Sequence, residues 1–278
     1  MDWIDGLMGK LLNLPPLGTR EGESMDRLLN ATHVSMVVLF AIWFAFLVVA
    51  LVRFRTKRHP RANATGVSPM IFLLVIGMVL LDELGTLFGA AIPLWNKHLA
   101  GFPAEKDATV VRVAAQQFTW NVRYPGADGK FGGQGMSFVD DDNPLGYDPA
   151  DPAGKDDVSP PLKDLRVPLI PIDVDGDGRQ DLDEEGKPKF KPVLIHLSSL
   201  DVIHSLKILP FRICQDAIPG MSIPVYFTPT KTGKFMITCA QLCGNGHATM
   251  VGWLTVMEPE EYARWQANYL VDKSAARG

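Results

Sequence analysis

Val34 to Val52 runs for nineteen residues without a charge. A helix of that length crosses the roughly 30 Å hydrocarbon core of a bilayer. A second apolar stretch extends from about Val67 to Trp95, interrupted only by Asp82 and Glu83, and Trp95 and Lys97 suit a membrane interface. Between the two stretches, Arg53, Arg55, Lys57, Arg58 and Arg61 place five basic residues within nine positions, which marks the cytoplasmic side of a membrane. The pattern predicts a helical hairpin over residues 33–97, with a cytoplasmic turn and both chain ends outside. A buried core helix of a soluble protein is the alternative for the first stretch. Residues 1–32 hold no long apolar run. Leu14 to Leu17, with two prolines, and the charges from Arg20 to Arg27 predict a surface arm. No charged segment leads directly into an apolar core there, so no ordinary signal peptide is expected.

Beyond residue 105 the pattern changes to alternation with period two. Ala108 to Gln117, Val193 to Leu197, Ser205 to Leu209, Ser222 to Thr228, Lys234 to Thr238 and Val251 to Met257 read as strands. Glu258 to Leu270 carries Tyr262, Trp265 and Leu270 at helical spacing and reads as a closing helix. Residues 105–278 thus form an outer β-domain, and residues 125–192 stand apart within it. Gly126 to Pro161 reads as a long loop rich in Gly, Pro and Asp. Loops of that length usually serve a function or a partner. Asp173, Asp175, Asp177, Arg179, Asp181 and Glu184 then occupy the ligand positions of a calcium loop, with Gly178 at the sharp turn. Prolines before it and Gly186 and Pro188 after it leave no room for flanking helices. The expectation is a lone calcium loop; an acidic solvated turn is the plain alternative.

Composition narrows the function. A net charge of −4 on 278 residues gives no sign of nucleic-acid binding. Three cysteines make a disulfide framework improbable. Two of them, Cys239 and Cys243, lie in one twelve-residue stretch with His247 and Met250, in the pattern C-x3-C-x3-H-x2-M. Thiolate, thioether and imidazole together suit copper. Gly244 and Gly246 suit a tight loop, and strand-like runs on either side would present it at the rim of a sandwich. His204, just after the run Val193 to Leu197, is a further candidate ligand. Half of a zinc site, or two plain buried thiols, remain open from these residues alone, although thioether counts against zinc. Cys214 is expected to be an inert buried thiol. His33, His59, His98 and His196 have no ligand company in sequence and are expected to play ordinary structural roles.

The order of three motifs carries a resemblance. Ser198-Ser-Leu-Asp201-Val-Ile-His204-Ser205, then Asp216-Ala-Ile-Pro-Gly220, then the Cys239–Met250 loop resembles subunit II of haem–copper oxidases (cytochrome c oxidase). The resemblance is dense over residues 193–270, looser over 33–124 and weak or absent over 125–192. It implies a two-helix transmembrane hairpin followed by a cupredoxin-like Greek-key β-sandwich with a long loop insertion. It also implies a dinuclear copper centre, CuA, bridged by Cys239 and Cys243. His204 and His247 would each bind one copper, Met250 would be a weak ligand, and Gln241 would contribute its backbone carbonyl. The implied site of action is a bacterial inner membrane, with the copper domain in the periplasm.

Further expectations follow from that resemblance. Phe118 and Trp120, on an aromatic-rich strand, would be electron-input contacts. Phe118 where most members have Trp, and Gln241 where most have Glu, resemble the B-type members. The missing Glu places a magnesium site in doubt, although Asp216 matches a residue associated with it. Asp82 and Glu83 are either a proton-path contact with a partner subunit or a pair that orients its helix. The implied partners are a haem-containing subunit I, other oxidase subunits, membrane lipid, and cytochrome c or a permanently associated cytochrome donor. Leu200 and Arg123, near positions where other members dock cytochrome c through acidic residues, favour an unusual donor. No haem ligand set spans the two helices, and no Cys-x-x-Cys-His follows the copper loop, so oxygen chemistry and a fused cytochrome are not expected in this chain. The CuA subunit of a nitric oxide reductase, and a membrane-tethered mononuclear cupredoxin, are the competing functions.

Overall fold

The computed structural model describes residues 9–58, 66, 68–140, 143, 145–160, 164–183 and 185–275. His59, Arg61, Val67 and Glu184 lie outside them. The chain divides into two compact units, Met1–Leu14 with Glu23–Gly101 and Pro15–Gly22 with Phe102–Gly278.

The helical unit is built from α1 (Glu21–Arg53), α2 (Pro69–Thr86), one π-helical turn (Leu87–Ala91) and α3 (Ile92–Ala100). Helix α1 begins at Glu21, within the stretch expected to be a surface arm. Its 33 residues amount to roughly 50 Å at 1.5 Å per residue. Apolar side chains on α1 and α2 are largely exposed, Phe40 at 70% and Leu81 at 76%. Exposed apolar surface is unfavourable in water at about 25 cal/mol per Å², so helices this long and apolar suit lipid. Asp82 and Glu83 are the charged residues of α2; Asp82 is half-buried, and its Oδ1 accepts a hydrogen bond from Ser35 Oγ of α1 at 2.9 Å. Glu83 next to it is exposed.

The β unit is a sandwich. Among the described residues its strands are β1 (Thr109–Gln116), β2 (Thr119–Arg123), β3 (Asp164–Pro168), β4 (Val193–Ser199), β5 (His204–Ile208), β6 (Ile213–Ala217), β7 (Ile223–Phe227), β8 (Gly233–Cys239) and β9 (Val251–Met257). One sheet has the order β2-β1-β4-β7, the other β3-β9-β8-β5-β6. Alternation decides which face is buried. Val111, Val113 and Ala115 of β1 and Val193, Ile195 and Leu197 of β4 point inward, against Leu206, Ile208, Ile237, Leu254 and Val256 of the other sheet. Helix α4 (Pro259–Ala275) closes one side by edge-to-face contacts of Tyr262 and Trp265 with the buried Tyr124 ring.

Two strands depart from the expected set. β3 lies inside the segment read as an insertion, yet it pairs in parallel with β9, Leu165 opposite Leu254. β6 is an edge strand on β5, and it overturns the expectation for Cys214, which is exposed rather than buried because Cys214 and Asp216 take the outward positions.

The loop between β2 and β3 is organised around a buried ion pair. Arg123 Nε donates to Asp157 Oδ2 at 2.7 Å, and the same oxygen accepts the Gly132 N–H at 3.0 Å. Both side chains are about 4% exposed, and the Tyr147 ring covers the guanidinium at 4.1 Å. Arg123 therefore cannot present its charge to a donor protein, contrary to the sequence expectation. The remaining described histidines are occupied locally: His33 with the Leu29 carbonyl, His98 with Ser24 and His196 with Glu105.

Candidate metal centre

Strand register assembles the site. β5 pairs with β8 so that Leu206 lies opposite Cys239, which brings His204, at the start of β5, beside the end of β8. The loop from Ala240 to Met250 then folds back, and the Cys239 N–H donates to the Met250 carbonyl at 3.3 Å. Gly244 has φ +135°, a conformation that L side chains rarely adopt. Gly246 has an ordinary φ of −91° and is small for another reason: a methyl built there would overlap the Phe118 ring. A single 3₁₀ turn, His247–Thr249, aims His247 back at the loop.

Six donor atoms converge. The thiol sulfurs of Cys239 and Cys243 are 3.9 Å apart. Around Cys239 Sγ lie His204 Nδ1 at 3.9 Å and the Gln241 carbonyl oxygen at 3.1 Å. Around Cys243 Sγ lie His247 Nδ1 at 3.6 Å and Met250 Sδ at 3.9 Å. Each sulfur thus has one imidazole nitrogen and one weaker donor beside it. His204, Cys239, Cys243 and Met250 are buried, and His247 is half-buried. Burial, with Cys239 close by, pushes the Cys243 thiol up to about 11, so it is neutral at pH 7 until a metal displaces its proton. Two nitrogens, three sulfurs and a carbonyl exceed the four ligands of a structural zinc site and include a thioether. The set fits copper.

A ring of supporting residues holds these donors. Asp201 Oδ1 bonds His204 Nε2 at 2.8 Å, which leaves Nδ1 toward Cys239. Asp201 Oδ2 accepts the Gln117 N–H at 2.7 Å. Burial alone would raise the Asp201 carboxyl, but hydrogen bonds from His204 and from the Gln117 and Val202 N–H groups outweigh it and hold the pKa low. Gln117 Nε2 donates to the Cys243 carbonyl at 2.5 Å. Sequence reasoning used Asp201 only as part of a motif and missed Gln117. The signal for Gln117 was its position beside Phe118, at the end of a strand that points at the loop.

The two aromatic residues part company. Phe118 is half-buried against Gly244 and Gly246. Trp120 is 1% exposed, its ring edge-on to His204 with centroids 6.3 Å apart. Alternation along β2 turns Trp120 inward, which leaves Phe118 as the more exposed of the two.

Of the calcium-loop residues, Asp173, Asp175 and Asp177 bring carboxylate oxygens within 4.8 Å of one another, all exposed. Asp173 accepts the Gly176 and Gly178 N–H groups at 2.8 and 2.9 Å. Arg179 donates its N–H to Asp177. Asp181 instead accepts the Val174 N–H. Asp216 is exposed on β6.

Residues 185–256 match the family described as cytochrome c oxidase subunit II, periplasmic domain. The chain is 28% identical over 251 residues to the alternative cytochrome c oxidase subunit 2 of Bradyrhizobium diazoefficiens, covering 90% of this chain and 81% of that one. The chain is thus similar to cytochrome c oxidase subunit II over most of its length, and its match to the family model lies in the periplasmic domain. It is also 29% identical over 238 residues to cytochrome c oxidase subunit 2 of Cereibacter sphaeroides, covering 84% of this chain and 68% of that one. Among solved structures, the periplasmic domain of subunit II of cytochrome oxidase of Bradyrhizobium japonicum aligns with a TM-score of 0.38 at 24% identity, over 58% of this chain and 92% of that one. Two candidate membrane spans precede the segment that matches the periplasmic domain.

Proposed function

We propose that this chain is the electron-input subunit of a haem–copper terminal oxidase in a bacterial inner membrane. Its role would be to accept electrons from cytochrome c or an associated donor and pass them to haem in subunit I, where oxygen reduction is coupled to proton translocation. The observation that carries this reading is the pairing of donors around two adjacent thiols. His204 with Gln241, and His247 with Met250, flank Cys239 and Cys243 as two matched halves. These six residues would hold a dinuclear CuA centre. The bound copper pair supplies reversible one-electron transfer. The chain's own contribution is to hold the donors still and dry: β5, β8 and β9 fix the loop ends, Asp201 orients His204, and Phe118 seals the outer side. Phe118, half-exposed over the loop, is the proposed contact for the incoming electron.

Both ligand segments carry exposed apolar side chains, Leu200, Val202 and Ile203 before His204 and Leu242 between the cysteines. Docking through such groups favours a persistently bound donor, whose reaction depends weakly on salt. Asp173, Asp175 and Asp177 are the proposed calcium ligands, with Asp181, Glu184 and the Arg179 carbonyl completing the set. Asp82, bonded to Ser35, is the proposed proton-path residue.

Copper analysis and electron paramagnetic resonance on the full chain test the main reading. The expected result is two coppers sharing one unpaired electron. One copper with a single-centre spectrum would mean a tethered cupredoxin, and tight zinc without specific copper would end the electron-transfer reading.

A further inference from the structure

The outer face of the β2-β1-β4-β7 sheet carries a basic row. Arg112 of β1 is in register with Arg123 of β2 on one side and with His196 of β4 on the other. The Arg112 and Arg123 guanidinium charges, directly across neighbouring strands, repel, and both flanking side chains of the row have acidic partners. Arg123 pairs with Asp157, and His196 Nε2 meets Glu105 Oε1 at 2.9 Å. The middle guanidinium has no carboxylate partner among the described residues. Arg112 Nη1 reaches only the Gln134 side-chain oxygen, at a long 3.4 Å, and its guanidinium lies 4.1 Å from the centre of the Phe131 ring. It is nevertheless half-buried. Burial, then the neighbouring Arg123, lower its pKa, outweighing the opposing fields of Asp157, Glu105 and Tyr147.

A cleft of about 610 Å³ opens over this row, between the sheet and the β2–β3 loop. That is the size of a small-molecule site. Its floor is set by the next position along β1. Ala114 is in register with Asn121 and Ser198, so a methyl group flanked by two short polar side chains leaves space where longer ones would fill it. The Ser198 hydroxyl has no hydrogen-bond partner among the described residues. Leu145 and Tyr147 of the loop form an apolar wall opposite. The site therefore offers a partly desolvated fork of N–H donors at one end, a shallow polar floor and an apolar wall. Guanidinium matches carboxylate and phosphate oxygens two at a time.

We propose that this cleft binds a small organic anion, its carboxylate or phosphate group on Arg112 and its body over Ala114 against Leu145 and Tyr147. Neither the metal centre nor the copper loop takes part. The test uses the full-length, copper-loaded chain in detergent, titrated with phenyl phosphate and with inorganic phosphate, ionic strength being matched with sodium chloride. Phenyl phosphate is expected to bind saturably and at least tenfold more tightly than inorganic phosphate. Arg112→Gln is expected to weaken it at least tenfold, and Arg112→Lys, which keeps charge but loses the fork, by less. Ala114→Leu, which leaves Arg112 in place and fills the floor, should weaken phenyl phosphate selectively. Retention of the copper absorbance shows that each variant is folded. No saturable binding, equal affinity for the two anions, or unchanged affinity in both Arg112→Gln and Ala114→Leu would overturn the proposal.

Discussion

Asp201 grips the far side of the His204 ring, Oδ1 to Nε2 at 2.8 Å, and so decides which nitrogen faces Cys239. Groups that orient a metal-binding histidine in this way are worth roughly 10–100-fold in metal affinity. Asp201→Ala is expected to weaken copper binding by that factor, while Asp201→Asn, which keeps one acceptor oxygen, should lose less. Copper titration followed by absorbance measures both. The lowered carboxyl pKa also makes a statement about acid. A depressed folded-state pKa contributes stability that is present above the ordinary carboxylate range and is lost as pH falls through the depressed value. The acid limb of a pH–melting profile should flatten in Asp201→Asn.

The buried Cys243 thiol gives the opposite sign. Its folded pKa is raised to about 11, so its contribution to the metal-free chain is fully present below the ordinary thiol range and fades as pH climbs toward 11. At neutral pH copper must displace a proton from this thiol, and binding should therefore tighten with rising pH. A pH-stat experiment should detect proton release on loading, reduced in Cys243→Ser.

Phe118 and Gly246 are coupled by space. Gly246→Ala places a methyl into the Phe118 ring, a strain typically costing about 1–3 kcal/mol. A lowered melting temperature and a perturbed copper spectrum are expected. Adding Phe118→Ala should restore the spectrum, and a double-mutant cycle that shows no coupling would remove Phe118 from its place over the loop.

Asp157→Ala leaves the Arg123 guanidinium buried without its counter-charge, an error of about 3–5 kcal/mol. Limited proteolysis should then cut first between residues 126 and 160, whose Gly132 N–H also loses its acceptor. Cleavage unchanged from the parent chain would show that this pair does not organise the loop.

Calcium should stabilise the chain if Asp173, Asp175 and Asp177 hold it. At a hundredfold excess over the dissociation constant the gain is about 2.7 kcal/mol, readable as a rise in melting temperature. Asp175→Asn should abolish most of it, and an equal rise with magnesium would sink the assignment.

Much of this was legible in the chain because it rests on local periodicity. Nineteen uncharged residues, the alternation in β1, β4 and β9, and the C-x3-C-x3-H-x2-M spacing are each contained in a short window. What stayed hidden depends on distant partners. β3 has only five residues, and its pairing with β9 reaches across nearly ninety positions. Arg123 reads as a surface charge until Asp157, thirty-four residues on, is found beside it. Cys214 was misjudged because the direction of a side chain on a strand follows from register and edge position, which composition does not reveal. Gly246 looked like a turn residue, whereas its smallness answers to a phenyl ring from β1's far end.

The β1–β2 corner touches both halves of the metal site: Gln117 bonds the Asp201 carboxylate and the Cys243 carbonyl, and Phe118 lies on Gly246. Those contacts join positions 84 and 126 residues apart, so they exist only after the sandwich has closed. Any metal that enters after closure would meet a pocket already shaped, with the Phe118 ring over one side of the loop.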